Sequence, residues 1–127
     1  MKLEAVLMAR ILAVDDSRTI REMVGAILGQ MGHEVILAND GAEAMNIARD
    51  TSVDLVLTDI NMPNMNGISL VYKLRRLDAY KNTPILMLTT ETADFKKEKS
   101  KNMGANGWVQ KPFDAGRLEK AVNAMLA

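Results

Sequence analysis

The sequence contains no cysteine among its 127 residues. This absence excludes a disulfide framework and a metal site built on thiolates, and it favours a reducing compartment, so we expect a cytoplasmic protein. Net charge is absent as well, because sixteen basic and sixteen acidic residues cancel. No overall electrostatic field therefore draws the chain to nucleic acid or to a membrane surface.

Long apolar runs are also missing. A membrane-spanning helix needs roughly 20 consecutive apolar residues, and the sequence has no run of that length. The apolar stretch at residues 5–8 is too short for the core of a signal peptide and is soon broken by Arg10. We interpret residues 1–9 as an N-terminal extension or an alternative start at Met8, and residues 10–127 as one domain of ordinary size.

Five short apolar runs recur along the chain, and each is too short for a helix. They are rich in β-branched or large apolar residues, which predicts buried strands. The runs are residues 11–14, 35–38, 55–57, 85–88 and 108–109.

Between these runs, apolar residues follow the three-and-four spacing of one helix face. The predicted helices lie around residues 20–31, 41–50, 70–77, 93–103 and 118–125. Ser17 and Asp114 are candidate N-caps, and Gly32 is a natural stop. The fourth helix has few apolar anchors, which implies low local stability. Five strands alternating with five helices predict a (βα)5 domain, an α/β fold with a parallel sheet covered on both faces.

Polar residues follow four of the five predicted strands. Asp15 and Asp16 come after the first run, Asp59 after the third, Thr89 after the fourth and Lys111 after the fifth. Ligands of an open parallel sheet bind outside the carboxyl ends of its strands. The sequence therefore brings three carboxylates, a hydroxyl and an ammonium to one edge of the sheet.

Three crowded carboxylates repel one another, and a hard divalent cation relieves that repulsion. Ligation by oxygen alone favours Mg²⁺, with Mn²⁺ as the other candidate. A metal beside Asp59 would screen an incoming phosphate whose oxygens Lys111 and Thr89 would hold, which is the arrangement that phosphoryl transfer requires. Asp59 as nucleophile would give an acyl phosphate.

Each of these residues also has a simpler explanation. Asp16 alone would be a helix cap, Asp59 a turn residue before Asn61, Lys111 part of a solvated turn, and Thr89 an ordinary strand former. The coincidence of complementary chemistry at four strand ends favours a metal–phosphate site over four unrelated roles.

Four motifs carry a resemblance to a known family: ILAVDDS, LVLTDINMPNMNG, PILMLTTE and GANGWVQKPF, in this order. With them, the sequence resembles the receiver domains of two-component response regulators, and among these the CheY-like single-domain chemotaxis regulators. The resemblance covers essentially residues 10–126. It implies a flavodoxin-like, doubly wound fold with a five-stranded parallel sheet in the order 2-1-3-4-5.

The resemblance also implies roles for the polar residues. Asp59 would be the phosphoacceptor, and Asp15, Asp16, Asp59 and the backbone carbonyl of Asn61 would bind Mg²⁺. Lys111 would pair with a phosphoryl oxygen, and its bond to the following proline would be cis.

Further roles concern signalling after phosphorylation. Thr89 and Trp108 would form the switch, and the face made by the fourth helix, fifth strand and fifth helix would bind the effector. Asn61 and Glu91 match a pair that tunes self-dephosphorylation, so we expect a short-lived phosphoryl form.

The implied function is a phosphoacceptor switch rather than an enzyme. It would receive its phosphoryl group from a histidine kinase and bind a protein effector such as a flagellar motor switch protein, with a phosphatase as a further partner. We expect a monomer.

Three alternatives remain open. The chain could be a receiver module or phosphate sink in another two-component pathway. It could be a phosphatase with an aspartyl intermediate, although such enzymes usually carry a second Asp where this chain has Asn61. A flavodoxin-like cofactor binder would share the fold, but Asp15 and Asp16 would repel its phosphate.

Overall fold

The computed structural model describes residues 8–90, 98 and 101–127. Strands and helices alternate along this part of the chain, as the spacing of apolar residues predicts. The strands are β1 (Arg10–Val14), β2 (Glu34–Ala38), β3 (Leu55–Asp59), β4 (Ile85–Thr89) and β5 (Gly107–Gln110). The helices are α1 (Arg18–Gln30), α2 (Gly41–Asp50), α3 (Gly67–Arg75), a short 3-10 helix (Asp78–Tyr80) and the C-terminal helix (Ala115–Leu126).

The five strands form one sheet in the order β2-β1-β3-β4-β5. Every neighbouring pair is parallel. The predicted α/β fold and strand order are therefore confirmed. Because all strands run the same way, their carboxyl ends meet at one edge of the sheet, and their amino ends meet at the opposite edge.

Alternate residues of each strand face opposite sides of the sheet, and each side has its own core. Leu12, Val56 and Met87 pack on the side that α2 and α3 cover. Ile11, Leu57 and Leu88 pack on the other side with residues of α1 and the C-terminal helix. β3 and β4 are buried along their whole length, so these two central strands give a rigid base to the residues at their carboxyl ends.

The predicted helix ends are confirmed at three positions. The side chain of Ser17 accepts a hydrogen bond from the amide of Ile20, and that of Asp114 accepts one from the amide of Arg117. Gly32, just past the end of α1, has φ +93°, a left-handed conformation that glycine adopts without a Cβ penalty.

Two predicted segments lie wholly or partly outside the described residues. Residues 98 and 101–103 are helical, which agrees with the end of the predicted fourth helix, but the rest of that segment is not described. Residues 1–7 are not described either. Among the described residues, no helix combines the length and the apolar character needed to cross a membrane.

The amino edge of the sheet is held by the half-buried guanidinium of Arg75 at the end of α3. Its Nη1 donates to the carbonyl oxygens of Tyr80 at 2.7 Å and Thr83 at 2.6 Å. Its Nη2 donates to the Gly104 carbonyl at 2.7 Å and to Asn106 Oδ1 at 2.9 Å. Desolvation lowers the pKa of Arg75, but the oxygens it contacts satisfy its donors. It thereby joins α3 to the segments that lead into β4 and β5.

Candidate functional site

The polar residues singled out in the sequence gather at the carboxyl edge of the sheet. Asp59 and Thr89 are the last residues of β3 and β4. Asp15 and Asp16 directly follow β1, and Lys111 directly follows β5. The order β1-β3-β4-β5 makes these four strands neighbours, so the parallel fold places residues far apart in sequence side by side.

Three carboxylates meet there. Asp15, Asp16 and Asp59 each offer an oxygen, and these atoms all lie within 4.8 Å of one another. Asp15 and Asp59 are buried, with 3% and 7% of their surface exposed, whereas Asp16 is exposed. The cluster is therefore open to solvent on one side. Its all-oxygen donor set suits a hard divalent cation.

Lys111 reaches into the cluster from the end of β5. Its Nζ lies 2.6 Å from Asp15 Oδ2 and 3.4 Å from Asp59 Oδ1. Only 12% of its side chain is exposed, so the ammonium acts in a partly desolvated setting where charge interactions are strong. One ammonium offsets only part of the charge of three carboxylates.

Burial and this excess of negative charge both act on the pKa of Asp59. Burial raises the pKa of its carboxyl to about 6, and the charges of Asp15 and Asp16 add to the rise, while Lys111 opposes it. An uncompensated, desolvated carboxylate binds a cation or a proton readily. Ligand binding at this edge would therefore relieve a cost that the folded chain carries by itself.

Main-chain hydrogen bonds beyond the strand ends hold the site residues in place. The amide of Asp15 donates to the Ala38 carbonyl of β2 at 3.1 Å, and the amide of Lys111 donates to the Thr89 carbonyl of β4 at 2.8 Å. Each bond extends the parallel ladder by one step. The side chains of Asp15 and Lys111 thus leave from backbone that is as fixed as the sheet.

The loop after Asp59 is closed at its base by Gly67. The Gly67 amide donates to the Ile60 carbonyl at 2.8 Å, and a Cβ at position 67 would overlap the carbonyl oxygen of Asp59. Only glycine allows this approach of two backbones. The glycine of the LVLTDINMPNMNG motif therefore supports the backbone of the phosphoacceptor candidate, a role that sequence reasoning did not assign.

Other predicted residues lie around this centre. Thr89 is buried at the end of β4 and Asn61 is exposed in the loop after β3. Trp108 is in β5 on the sheet edge, with 41% of its surface exposed, so it is not an ordinary core residue. The Lys111–Pro112 peptide bond is cis, as the resemblance implies. Glu91 lies outside the described residues.

Sequence reasoning also missed two contacts to Asp15. The amide of Ser17 donates to Asp15 Oδ1 at 2.9 Å, and Arg21 Nη1 donates to the main-chain carbonyl of Asp15 at 2.8 Å. Their signal in the sequence is weak, because a cap and a charged helix residue are both common without any further role.

Comparison with known proteins agrees with this geometry. The family described as response regulator receiver domain matches residues 11–123. Protein PilH of Pseudomonas aeruginosa is 38% identical over 120 residues, which cover 94% of this chain and 99% of PilH. Both matches span nearly the whole chain.

Solved structures of similar fold include a chemotaxis protein and a receiver domain. The chemotaxis protein CheY4 of Vibrio cholerae has a TM-score of 0.92 at 47% identity, and the match covers 94% of this chain and 100% of CheY4. The receiver domain of a sensor histidine kinase from Pseudomonas aeruginosa was solved with a magnesium ion coordinated in its active site cleft. It has a TM-score of 0.87 at 26% identity, and the match covers 94% of this chain and 98% of that domain.

Proposed function

This chain belongs to the response regulator receiver domains of two-component signalling, and from that premise we propose that Asp59 accepts a phosphoryl group from a histidine kinase in a Mg²⁺-dependent reaction. The observation that carries the proposal is the cluster of three carboxylates within 4.8 Å of one another, with Lys111 between two of them. A nucleophile, a cation site and a fixed ammonium are the parts that phosphoryl transfer needs.

The donor set fits a magnesium ion. Asp15, Asp16 and Asp59, together with the backbone carbonyl of Asn61, would hold it, and Mn²⁺ would suit the same oxygens. Three carboxylates and one ammonium leave two negative charges, which a divalent cation offsets. When bound, the ion would supply the positive charge that draws the phosphoryl oxygens towards Asp59.

The chain's own residues carry the remaining chemistry. A carboxylate oxygen of Asp59 forms the bond to phosphorus while the bond from phosphorus to the histidine nitrogen of the kinase breaks, which leaves an acyl phosphate on Asp59. Lys111 then pairs with a phosphoryl oxygen instead of Asp59 Oδ1, and the Thr89 hydroxyl donates to another. Because the product stays on the protein, the domain is a phosphoacceptor switch and not an enzyme that turns over a substrate.

Thr89 and Trp108 would couple phosphorylation of Asp59 to the effector surface. Gln110 pairs with Thr89 and Trp108 pairs with Met87, so Trp108 lies two residues before Gln110 on the edge strand. A groove of about 540 Å³ lies beside it, lined by residues of β5 and the C-terminal helix that include Gln110, Arg117 and Lys120. Movement of Thr89 towards the phosphoryl group would bias the position of Trp108. This would change the effector surface, which consists of this groove and the predicted fourth helix.

The pathway we propose is chemotaxis, supported by the likeness to the chemotaxis protein CheY4. The effector would then be a flagellar motor switch protein, with a phosphatase as a further partner and a cytoplasmic monomer of residues 10–127 as the working unit. Asn61, with Glu91, would shorten the life of the acyl phosphate.

A second candidate is a receiver in a different two-component pathway, where it would pass on or drain phosphoryl groups. The likeness to the receiver domain of a sensor histidine kinase favours it. Binding of a motor switch protein that increases on phosphorylation would distinguish chemotaxis from this alternative.

The test is phosphorylation by acetyl phosphate with intact mass as the measurement. We expect a gain of one phosphoryl group that requires Mg²⁺ and is lost in Asp59→Asn. Asp50→Asn removes an exposed carboxylate at the end of α2 and should leave the gain intact. No gain in the wild type, or the same gain in Asp59→Asn, would reject Asp59 as the phosphoacceptor.

A further inference from the structure

Arg21 makes a contact to the site that the phosphoryl chemistry does not use. Its Nη1 donates to the main-chain carbonyl oxygen of Asp15 at 2.8 Å. Arg21 is the fourth residue of α1 and is half-buried, so the bond ties the first turn of the helix back to the residues that leave β1. The bond goes to an uncharged carbonyl oxygen, so its first effect is on geometry.

We propose that Arg21 is a positioning residue for the divalent-cation site, because it fixes the peptide plane between Asp15 and Asp16. The peptide unit is planar and rigid. A donor held on the Asp15 carbonyl therefore restricts the orientation of the amide of Asp16 and the direction in which the Asp16 side chain leaves the backbone. This inference rests on the proposed Mg²⁺ site.

The other contacts in this turn show why such a restraint matters. The carboxylate of Asp15 is held on both oxygens, by the amide of Ser17 at 2.9 Å and by Lys111 at 2.6 Å. Asp16, in contrast, is exposed. The restraint from Arg21 reaches Asp16 through the main chain, which keeps its carboxylate close to those of Asp15 and Asp59.

Geometry and charge predict opposite effects when Arg21 is replaced. A positive charge near three carboxylates competes with a cation, so losing that charge alone would strengthen Mg²⁺ binding. Losing the restraint would weaken Mg²⁺ binding, because groups that orient metal ligands typically contribute about 10-fold or more to affinity. The sign of the change therefore separates the two explanations.

Mg²⁺ titration of the full chain by isothermal calorimetry tests the proposal, at a pH well above the pKa of Asp59. We expect Arg21→Gln to raise the Kd about tenfold, and Arg21→Lys, which keeps the charge but not the planar fork, to raise it by roughly threefold. The matched control is Arg18→Gln. It removes the same charge from α1 at a side chain that is 84% exposed and pairs with the exposed Glu22, and its Kd should stay within about twofold of wild type.

The outcomes distinguish this proposal from the function it rests on. If the wild type binds Mg²⁺ and Arg21→Gln binds it equally or more tightly, Arg21 is not a positioning residue, while the metal site stands. If the wild type does not bind Mg²⁺, the proposed function itself fails. Should Arg21→Gln lose its native circular dichroism spectrum, Arg21→Lys decides, and a Kd equal to wild type overturns the proposal.

Discussion

At the amino edge of the sheet, the guanidinium of Arg75 meets uncharged oxygens that satisfy its donors. At the carboxyl edge, Asp15, Asp16 and Asp59 surround one lysine. Both edges bury charge in the same fold. The amino edge supplies hydrogen-bond acceptors that satisfy the donors of its buried cation. The carboxyl edge supplies one lysine for three carboxylates, which is too little positive charge.

The difference separates groups that hold the fold together from groups that await a ligand. Buried polar groups stabilise a protein when they are paired and cost free energy when they are not. The pKa of Asp59, raised to about 6, marks that cost at the carboxyl edge. We therefore expect mutations at the two edges to change the free energy of unfolding in opposite directions.

The largest effect should come from Arg75→Leu. In the native fold the guanidinium of Arg75 donates hydrogen bonds to the carbonyls of Gly104, Tyr80 and Thr83, and this change removes all of them. We expect a loss of about 3 kcal/mol in the free energy of unfolding, measured by urea denaturation with far-ultraviolet circular dichroism. The matched control is Arg76→Leu, which removes the exposed neighbouring side chain and should cost at most about 0.5 kcal/mol. Equal losses would show that the amino edge is not held by Arg75.

Asp59→Asn should have the opposite sign. Without divalent cations and well above pH 6, we expect it to stabilise the fold by about 2 kcal/mol, because it removes an unfavourable buried charge. The folded pKa lies above the ordinary value of 3.8, so the wild type is favoured at low pH and loses stability as pH rises through about 6. The gain should therefore vanish below pH 3.8. A gain that persists in acid would point to packing and not to charge.

Magnesium should relieve the same cost in the wild type. At a free concentration ten times the Kd, we expect about 1.4 kcal/mol of added stability, measured by urea denaturation with and without the ion. The effect should fall as pH drops through about 6, since protons then compete for Asp59. Arg75→Leu, if it folds, should respond to Mg²⁺ as the wild type does. Loss of the response in that variant would mean that the two edges are coupled.

The smallest expected change in the free energy of unfolding comes from a substitution that acts through backbone conformation alone. Gly29 is exposed near the end of α1, and among the described residues no atom outside the neighbouring residues and the helix's own backbone lies within 4 Å of a Cβ built there. Gly29→Ala should stabilise the fold by about 0.5 to 1 kcal/mol through the unfolded state and leave Mg²⁺ affinity unchanged. Gly32→Ala is the contrasting variant, because its φ of +93° strains any residue with a Cβ. In thermal melting, the Tm should rise for Gly29→Ala and fall for Gly32→Ala.

The sequence alone was sufficient to predict the fold and the edge at which polar residues gather. Short apolar runs have the period and length of buried strands, and the rule for parallel sheets brings the ends of those strands together. Asp15, Asp59 and Lys111 could be identified because each lies within two residues of the end of such a run. Their roles in metal binding and phosphorylation stay predictions.

Contacts that depend on three-dimensional proximity could not be predicted. Arg75 sits in the sequence KLRR, which is typical of an exposed helix face, yet its guanidinium contacts Gly104, 29 residues away. The raised pKa of Asp59 depends on burial and on the carboxylates of Asp15 and Asp16, which follow β1. The overlap that forbids a side chain at Gly67 likewise depends on a backbone approach that no local pattern encodes.

Trp108, exposed on the edge strand β5, is the single tryptophan of the chain. Its indole is therefore an intrinsic fluorescence probe of a single site, next to the proposed effector surface. A change in emission on adding a ligand at the carboxyl edge would measure how far the disturbance travels along β5. Circular dichroism averages over the whole backbone, so a difference between the two signals would detect local rearrangement without any added label.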